Sequence, residues 1–185
     1  MRSSDLQRLF DYNYWANARL FAALDRLTPE QFVGTIAGSY GSIRNTLVHV
    51  LSAEWGWLDR CGGARRGDAL KPDDYPTIDV LRSTWATVET EMRTFLSELS
   101  DANVARSVSF ALGRGPVHEM RVGDLLEHAA MHAAHHRGQG RQNRLPLQTH
   151  RRATMQRPMR IDLTARSTGL WSASRGQIFT DAHID

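Results

Sequence analysis

The most constraining feature of this sequence is the helical spacing of its apolar residues in four long segments. Residues 3–27, 42–60, 77–99 and 122–139 place apolar side chains three or four positions apart, as one buried helix face requires. Glycine and proline separate the segments, and no stretch alternates clearly enough to predict a strand. The chain is therefore predicted to be all-α, with residues 1–140 forming a four-helix bundle.

The connecting segments carry their own signals. Thr28 and Gln31 predict a helix start, because their side chains and backbones can form a capping box. Residues 63–76 contain glycine and proline breakers and predict a loop. Residues 100–121 predict an irregular stretch with a short hairpin around Gly113–Gly115.

Cysteine content and hydropathy limit the class of protein. With Cys61 as the single cysteine, an internal disulfide, a zinc finger and a CxxC redox site are excluded, and a reducing cytoplasm is favoured. No apolar run approaches the ~20 residues that span a membrane. Acidic residues interrupt the apolar N-terminal segment, which is not typical of a signal peptide. We therefore expect a cytoplasmic protein without a membrane partner.

Charge is distributed unevenly along the chain. The net charge is +3, but residues 141–185 alone carry +5, which leaves −2 for residues 1–140. The helical pattern ends after Gln139, so residues 141–185 are predicted to form a divergent, Arg-rich, loosely ordered tail. A shifted reading frame would also give such a change, and the same tail in close relatives would exclude it. Nucleic-acid binding is not expected for the bundle, and any such affinity should vanish on truncation after residue 140.

Half of the eight histidines lie within nine residues of the fourth predicted helix. His128, His132, His135 and His136 share one arc of about 100° on that helix. His132 and His136 are one turn apart, a spacing that lets two imidazoles bind one metal ion. A pH-sensitive surface would show the same cluster of histidines. A metal site at this pair would need a third ligand from another part of the chain.

His49 is the candidate for that third ligand, because bundle packing can bring the second predicted helix opposite the fourth. It lies away from the aliphatic stripe among small residues, which suits either an open coordination site or a plain solvent face. Sequence spacing leaves both interpretations open. The carboxylates available to orient the rings are Glu54, Asp124 and Glu127.

Other chemistries lack their motifs. The sequence contains no Glu-x-x-His pair of a di-iron bundle, no HExxH, no GxSxG and no phosphate-binding loop. A haem bundle with His49 and a histidine of the fourth predicted helix as axial ligands remains an alternative, which the absence of a Soret band would dismiss.

Three segments together resemble a known family. They read DYNYWAN at Asp11–Asn17, GSIRNTLVH at Gly41–His49 and DLLEHAAMHAAHHRGQ at Asp124–Gln139. In order and spacing they resemble the DinB family, the DinB/YfiT-like metalloenzymes, over about residues 4–139. The resemblance implies a four-helix bundle in which three histidines hold a divalent metal, zinc or nickel. The histidines that match are His49, His132 and His136.

The same resemblance implies an activity. Related members act with low-molecular-weight thiols, as maleylpyruvate isomerase does with mycothiol and as bacillithiol S-transferases do. It favours a metal-dependent enzyme with S-transferase or isomerase chemistry on a small-molecule substrate, working as a homodimer. A non-catalytic metal-binding or stress-response bundle and a metal-dependent hydrolase are the alternatives. The metal, the thiol, the substrate and catalysis itself are left open.

Overall fold

Helices account for most of the part of the chain that the structure describes. The computed structural model describes residues 1–36, 40–63, 69–111 and 115–142, without the side chains of residues 140–142. Four helices are long: α1 (Ser3–Leu24), α3 (Ile43–Gly62), α4 (Ile78–Glu98) and α6 (Val122–Gln142). The shorter elements are α2 (Pro29–Val33), a 3₁₀ turn (Pro72–Asp74), α5 (Asp101–Ala105), β1 (Ser107–Ala111) and β2 (Val117–Arg121).

The predicted all-α, four-helix architecture is confirmed. Each predicted long helix is present, with ends shifted by a few residues. The predicted Arg-rich tail lies outside the described residues from residue 143 onward, so the boundary at residue 140 stays a prediction. Within the described ranges, every helix is too short or too polar to cross a membrane.

Local capping explains where the helices begin and end. The Thr28 hydroxyl accepts from the Gln31 backbone N–H, and the Gln31 side chain accepts from the Thr28 N–H, which confirms the predicted capping box. The Ser42 hydroxyl caps α3 by accepting from the Asn45 backbone N–H. Gly63 ends α3 with a φ of 75°, a conformation that glycine adopts without a steric cost.

The long helices pack as a ring. α6 contacts α1 and α3, and α4 contacts the same two helices, so α1 and α3 lie on a diagonal. The apolar residues buried between them divide into two clusters. One cluster includes Phe10, Trp57, Met92 and Leu126, and the other includes Phe21, Leu47, Trp85 and Val88.

A β-hairpin follows α5, where the sequence predicted an irregular stretch with only a short hairpin. β1 and β2 pair antiparallel, with Ser107 opposite Arg121 and Ala111 opposite Val117. Phe110 on β1 packs edge-on against Trp57, with ring centroids 5.3 Å apart. The predicted short hairpin is thus present, although its two strands did not stand out in the sequence, because alternation over five residues is too short.

A buried polar network interrupts the apolar core. The Tyr14 hydroxyl on α1 donates to Glu54 Oε1 on α3 at 2.7 Å, across the diagonal of the bundle. Arg137 Nη1 on α6 donates to Asn13 Oδ1 at 2.6 Å and to Asn17 Oδ1 at 2.8 Å. These bonds tie α1 to both α3 and α6 where non-directional apolar contacts alone would let the helices slide.

Glu54 is the most strongly buried acid of this network, with 2% of its surface exposed. Burial raises the pKa of its carboxyl from 4.5 to about 7, against the opposing effects of the Tyr14 hydrogen bond and the Arg137 charge. Among the described residues Glu54 Oε2 has no hydrogen-bond partner, which adds to the cost of the charged form. The folded protein therefore keeps this proton to a higher pH than the unfolded chain does.

We predict that Glu54→Gln removes a pH dependence of stability. As the pH rises from about 4.5 to about 7, the unfolded carboxyl ionises before the folded one, so the folded state of the wild type loses relative stability. Above pH 7 the folding stability lost through this carboxyl amounts to about 3 kcal/mol. In denaturant titrations of the chelator-treated proteins, the free energy of unfolding of the variant should therefore rise relative to that of the wild type between pH 5 and pH 8.

Glu98→Gln, at an exposed glutamate at the end of α4, serves as the matched control and should show no such gain. A constant difference between the wild type and Glu54→Gln over this pH range would contradict the prediction.

Candidate metal centre

Three histidines from two helices meet at one point. His49 lies two turns into α3, whose start is set by the Ser42 cap. His132 and His136 lie on successive turns of α6, which packs directly against α3. His136 is buried and the other two are partly buried. The structure thus brings together the three histidines that the sequence singled out.

The ring nitrogens are close enough to share one ion. His132 Nε2 lies 3.0 Å from His49 Nε2 and 3.0 Å from His136 Nε2. One nitrogen from each of the three rings falls within 4.8 Å of the others. A tetrahedral zinc ion with Zn–N bonds of 2.0–2.1 Å needs nitrogens about 3.3 Å apart, so small movements would suffice.

Hydrogen bonding alone does not account for these contacts. An imidazole nitrogen has one in-plane position, which holds either a lone pair or a proton. His132 Nε2 therefore cannot form hydrogen bonds to both neighbours at once, although both lie at 3.0 Å. A cation that accepts all three lone pairs resolves this conflict, and the donor set fits a divalent metal.

Gln139 fixes the orientation of one of the three rings. Its Oε1 lies 2.8 Å from His136 Nδ1 and, as an acceptor, requires the proton on that nitrogen. The Nε2 lone pair of His136 is then directed at the other two rings. The Gln139 amide N–H₂ donates in turn to His135 Nε2 at 2.9 Å.

The electrostatics of the cluster favour neutral rings. Burial first, and then the neighbouring histidines, His136 and His49 foremost, together lower the pKa of His132 from 6.5 to about 3. Burial also lowers the pKa of His136, while the Gln139 hydrogen bond partly offsets that effect. Neutral imidazole is the form that binds metals, so the site is prepared for a cation near neutral pH.

The carboxylates expected to orient the rings do not do so. Glu54 bonds to Tyr14 instead, and Asp124 and Glu127 are exposed on α6. Gln139 takes this place, and the sequence carried a signal for it, since it lies three residues after His136. The remaining histidines of the arc lie at the edge of the cluster: His128 packs edge-on against Trp57, and His135 is exposed.

Tyr40 is a second residue that the sequence analysis missed. Its hydroxyl lies 2.9 Å from His49 Nε2, the same nitrogen that faces His132. Its ring stacks on the His49 imidazole, with centroids 4.0 Å apart and an interplanar angle of 21°. Tyr40 precedes α3 in a non-helical segment, where helical periodicity gives no indication of side-chain direction.

We predict that His132→Gln reduces the acid sensitivity of the metal-free protein. The unfolded ring takes up a proton near pH 6.5, whereas the folded ring resists it down to about pH 3, so folding stability falls as the pH drops below 6.5. At pH 5 this residue accounts for up to about 2 kcal/mol. In urea titrations with a chelator present, the free energy of unfolding should fall less between pH 7 and pH 5 for the variant than for the wild type.

The control is His118→Gln, a change at a histidine of strand β2 outside the cluster. If the free energy of unfolding falls equally with pH in His132→Gln and in the wild type, the assigned burial of the His132 ring is contradicted.

Comparison with known proteins gives a family match and two relatives. The sequence model of the DinB family matches residues 1–142, which end where α6 ends. Uncharacterized protein YizA of Bacillus subtilis (strain 168) is 27% identical over 134 residues, covering 72% of this chain and 82% of YizA. Protein DinB of the same organism is 25% identical over 138 residues, covering 71% of this chain and 79% of that protein. With its family match spanning the whole described bundle, the chain belongs to the DinB family.

Proposed function

We propose that this chain binds a divalent metal ion through His49, His132 and His136 and is a metal-dependent enzyme. The observation that carries the proposal is the double contact of His132 Nε2, at 3.0 Å from each of the other two Nε2 atoms. Imidazoles that lose hydration on burial and face one another without room for shared protons are costly, unless a cation binds between them.

Each residue of the proposed site has its own role in binding the ion. His49 supplies one nitrogen from α3, and His132 and His136 supply two from α6, which closes the site when the helices pack. Gln139 holds the His136 proton on Nδ1 and so keeps Nε2 available. Zinc and nickel are the proposed metals, because imidazole nitrogen suits both ions.

Three neutral ligands favour a reactive rather than a structural site. Structural zinc sites use four protein ligands, whereas sites with three leave a position for a substrate or water. A divalent ion held in this way keeps its full charge and supplies Lewis acidity, which lowers the pKa of a bound thiol or water. The family resemblance favours the thiol, and hence S-transferase or isomerase chemistry on a small electrophile, over hydrolysis.

A non-catalytic metal-binding protein is the competing function. The two are separated by incubating the metal-loaded protein with a low-molecular-weight thiol and an electrophile and following thioether formation. Turnover that is lost with the metal supports the enzyme, and metal binding without turnover of any thiol supports the alternative. The homodimer and the cytoplasmic location stay predictions.

We predict that His49→Ala, His132→Ala and His136→Ala each abolish stable metal binding. Two imidazoles bind a divalent ion far more weakly than three, so after dialysis each variant should retain less than about one-tenth of the wild-type metal content. Elemental analysis of the purified proteins gives the measurement.

His118→Ala, a histidine of strand β2 outside the cluster, serves as the control and should retain the metal. Full retention in any of the three variants would remove that histidine from the site.

We predict that Gln139→Ala weakens metal affinity roughly tenfold to hundredfold, because the His136 ring loses the acceptor that orients it. Gln139→Glu keeps an acceptor at this position and should retain the wild-type affinity. Competition with a chromophoric chelator measures both constants. Equal affinity of the Ala and Glu variants would show that the hydrogen bond is irrelevant to metal binding.

A further inference from the structure

Tyr40 lies against the histidine cluster but belongs to neither helix that supplies it. Its hydroxyl is 2.9 Å from His49 Nε2, and its ring meets the His136 ring edge-on with centroids 5.5 Å apart. Tyr40 is 38% exposed, so it stands between the cluster and the solvent. Its phenol oxygen is therefore a polar group at the outer side of the three rings.

The backbone around Tyr40 is firmly held. Asn45 Nδ2 donates to the Tyr40 carbonyl oxygen at 3.1 Å. The next residue, Gly41, has a φ of 85°, and its carbonyl accepts from the Ile36 N–H at 2.8 Å. A β-bridge between Thr35 and Ser42 closes the segment next to the α3 cap. The ring is thus placed by the same contacts that start α3.

The hydroxyl lies beside the atom that would hold a metal ion. Because the Tyr40 ring stacks on the His49 imidazole, the hydroxyl is placed against the face of that ring near Nε2, and the in-plane lone pair stays available to a cation. A phenol O–H in this place is close enough to the cation to donate to an acceptor bound there. A cation with three protein ligands leaves a position for such an acceptor.

We propose that the Tyr40 hydroxyl donates a hydrogen bond to an anion bound at the open position of the metal, and so helps to select that anion. This inference rests on the proposed metal site. The group that it recognises is a small anion whose ligating atom keeps a second lone pair, which describes both a thiolate and an oxygen anion. A neutral ligand or an anion without a spare lone pair gains nothing from the hydroxyl.

The test uses the full chain loaded with Co²⁺, whose visible absorption reports both metal binding and a change of ligands. Azide is titrated into the wild type and into Tyr40→Phe at one fixed pH. Tyr40→Phe should bind Co²⁺ as tightly as the wild type does, and its azide dissociation constant should rise about tenfold or more. Tyr12→Phe, which removes the hydroxyl of an exposed tyrosine on α1, is the matched control and should behave as the wild type.

The outcomes separate this proposal from the metal site itself. Equal azide affinity in the wild type and Tyr40→Phe overturns the role of Tyr40 and leaves the metal site intact. Loss of Co²⁺ binding in Tyr40→Phe overturns it as well, because Tyr40 would then be a metal ligand. A wild type that binds no Co²⁺ overturns the metal site and this inference together.

A parallel titration with 2-mercaptoethanol, which gives its proton to the buffer on binding, distinguishes the two sources of the anion. Formate, an oxygen anion, is titrated beside it: weaker binding of the thiol alone by Tyr40→Phe supports a thiolate, and weaker binding of formate alone supports an oxygen anion.

Discussion

The contact between α3 and α6 at His132 is the constraint on which the rest of the site depends. One imidazole nitrogen lies at hydrogen-bond distance from two others, yet it has a single in-plane position with which to interact. In water each ring would be solvated separately. Packing α6 against α3 removes much of that water, so the folded bundle concentrates three electron-pair donors before any ion arrives.

Apolar contacts are non-directional, so they define the relative position of two helices less sharply than hydrogen bonds do. The polar network supplies the register. Arg137 follows His136 directly and bonds to two asparagines on α1, while Tyr14 and Glu54 join α1 to α3. A shift of α6 along its axis would break short bonds to Arg137, so the network that interrupts the core also holds the ligand rings in place.

Most of the architecture was predictable because it repeats. Four amphipathic segments gave the four long helices, and Thr28, Ser42 and Gly63 mark ends through local rules that need no tertiary information. The β-hairpin was underestimated, since Phe110 and Met120 are partly buried only through packing on the bundle. A five-residue strand carries too few alternations to predict that from sequence.

The site was predictable in part, for geometric reasons. The spacing of His132 and His136 follows from helix geometry, whereas the rotation of His49 about α3 depends on how the helices pack. Gln139 follows from the same helix geometry, since it lies three residues after His136, but the sequence directed attention to carboxylates. Tyr40 could not be found, because its position depends on a bridge between Thr35 and Ser42 that no periodic pattern encodes.

The separation between the helices and the segment that carries Tyr40 has an evolutionary consequence. The three histidines lie on long packed helices, whereas Tyr40 is placed by three local contacts at the start of α3. Under the proposed roles, a substitution at Tyr40 would change which anion is accepted and would leave the three histidines in place. Related bundles would in this way differ in their substrates while keeping the same set of nitrogen donors.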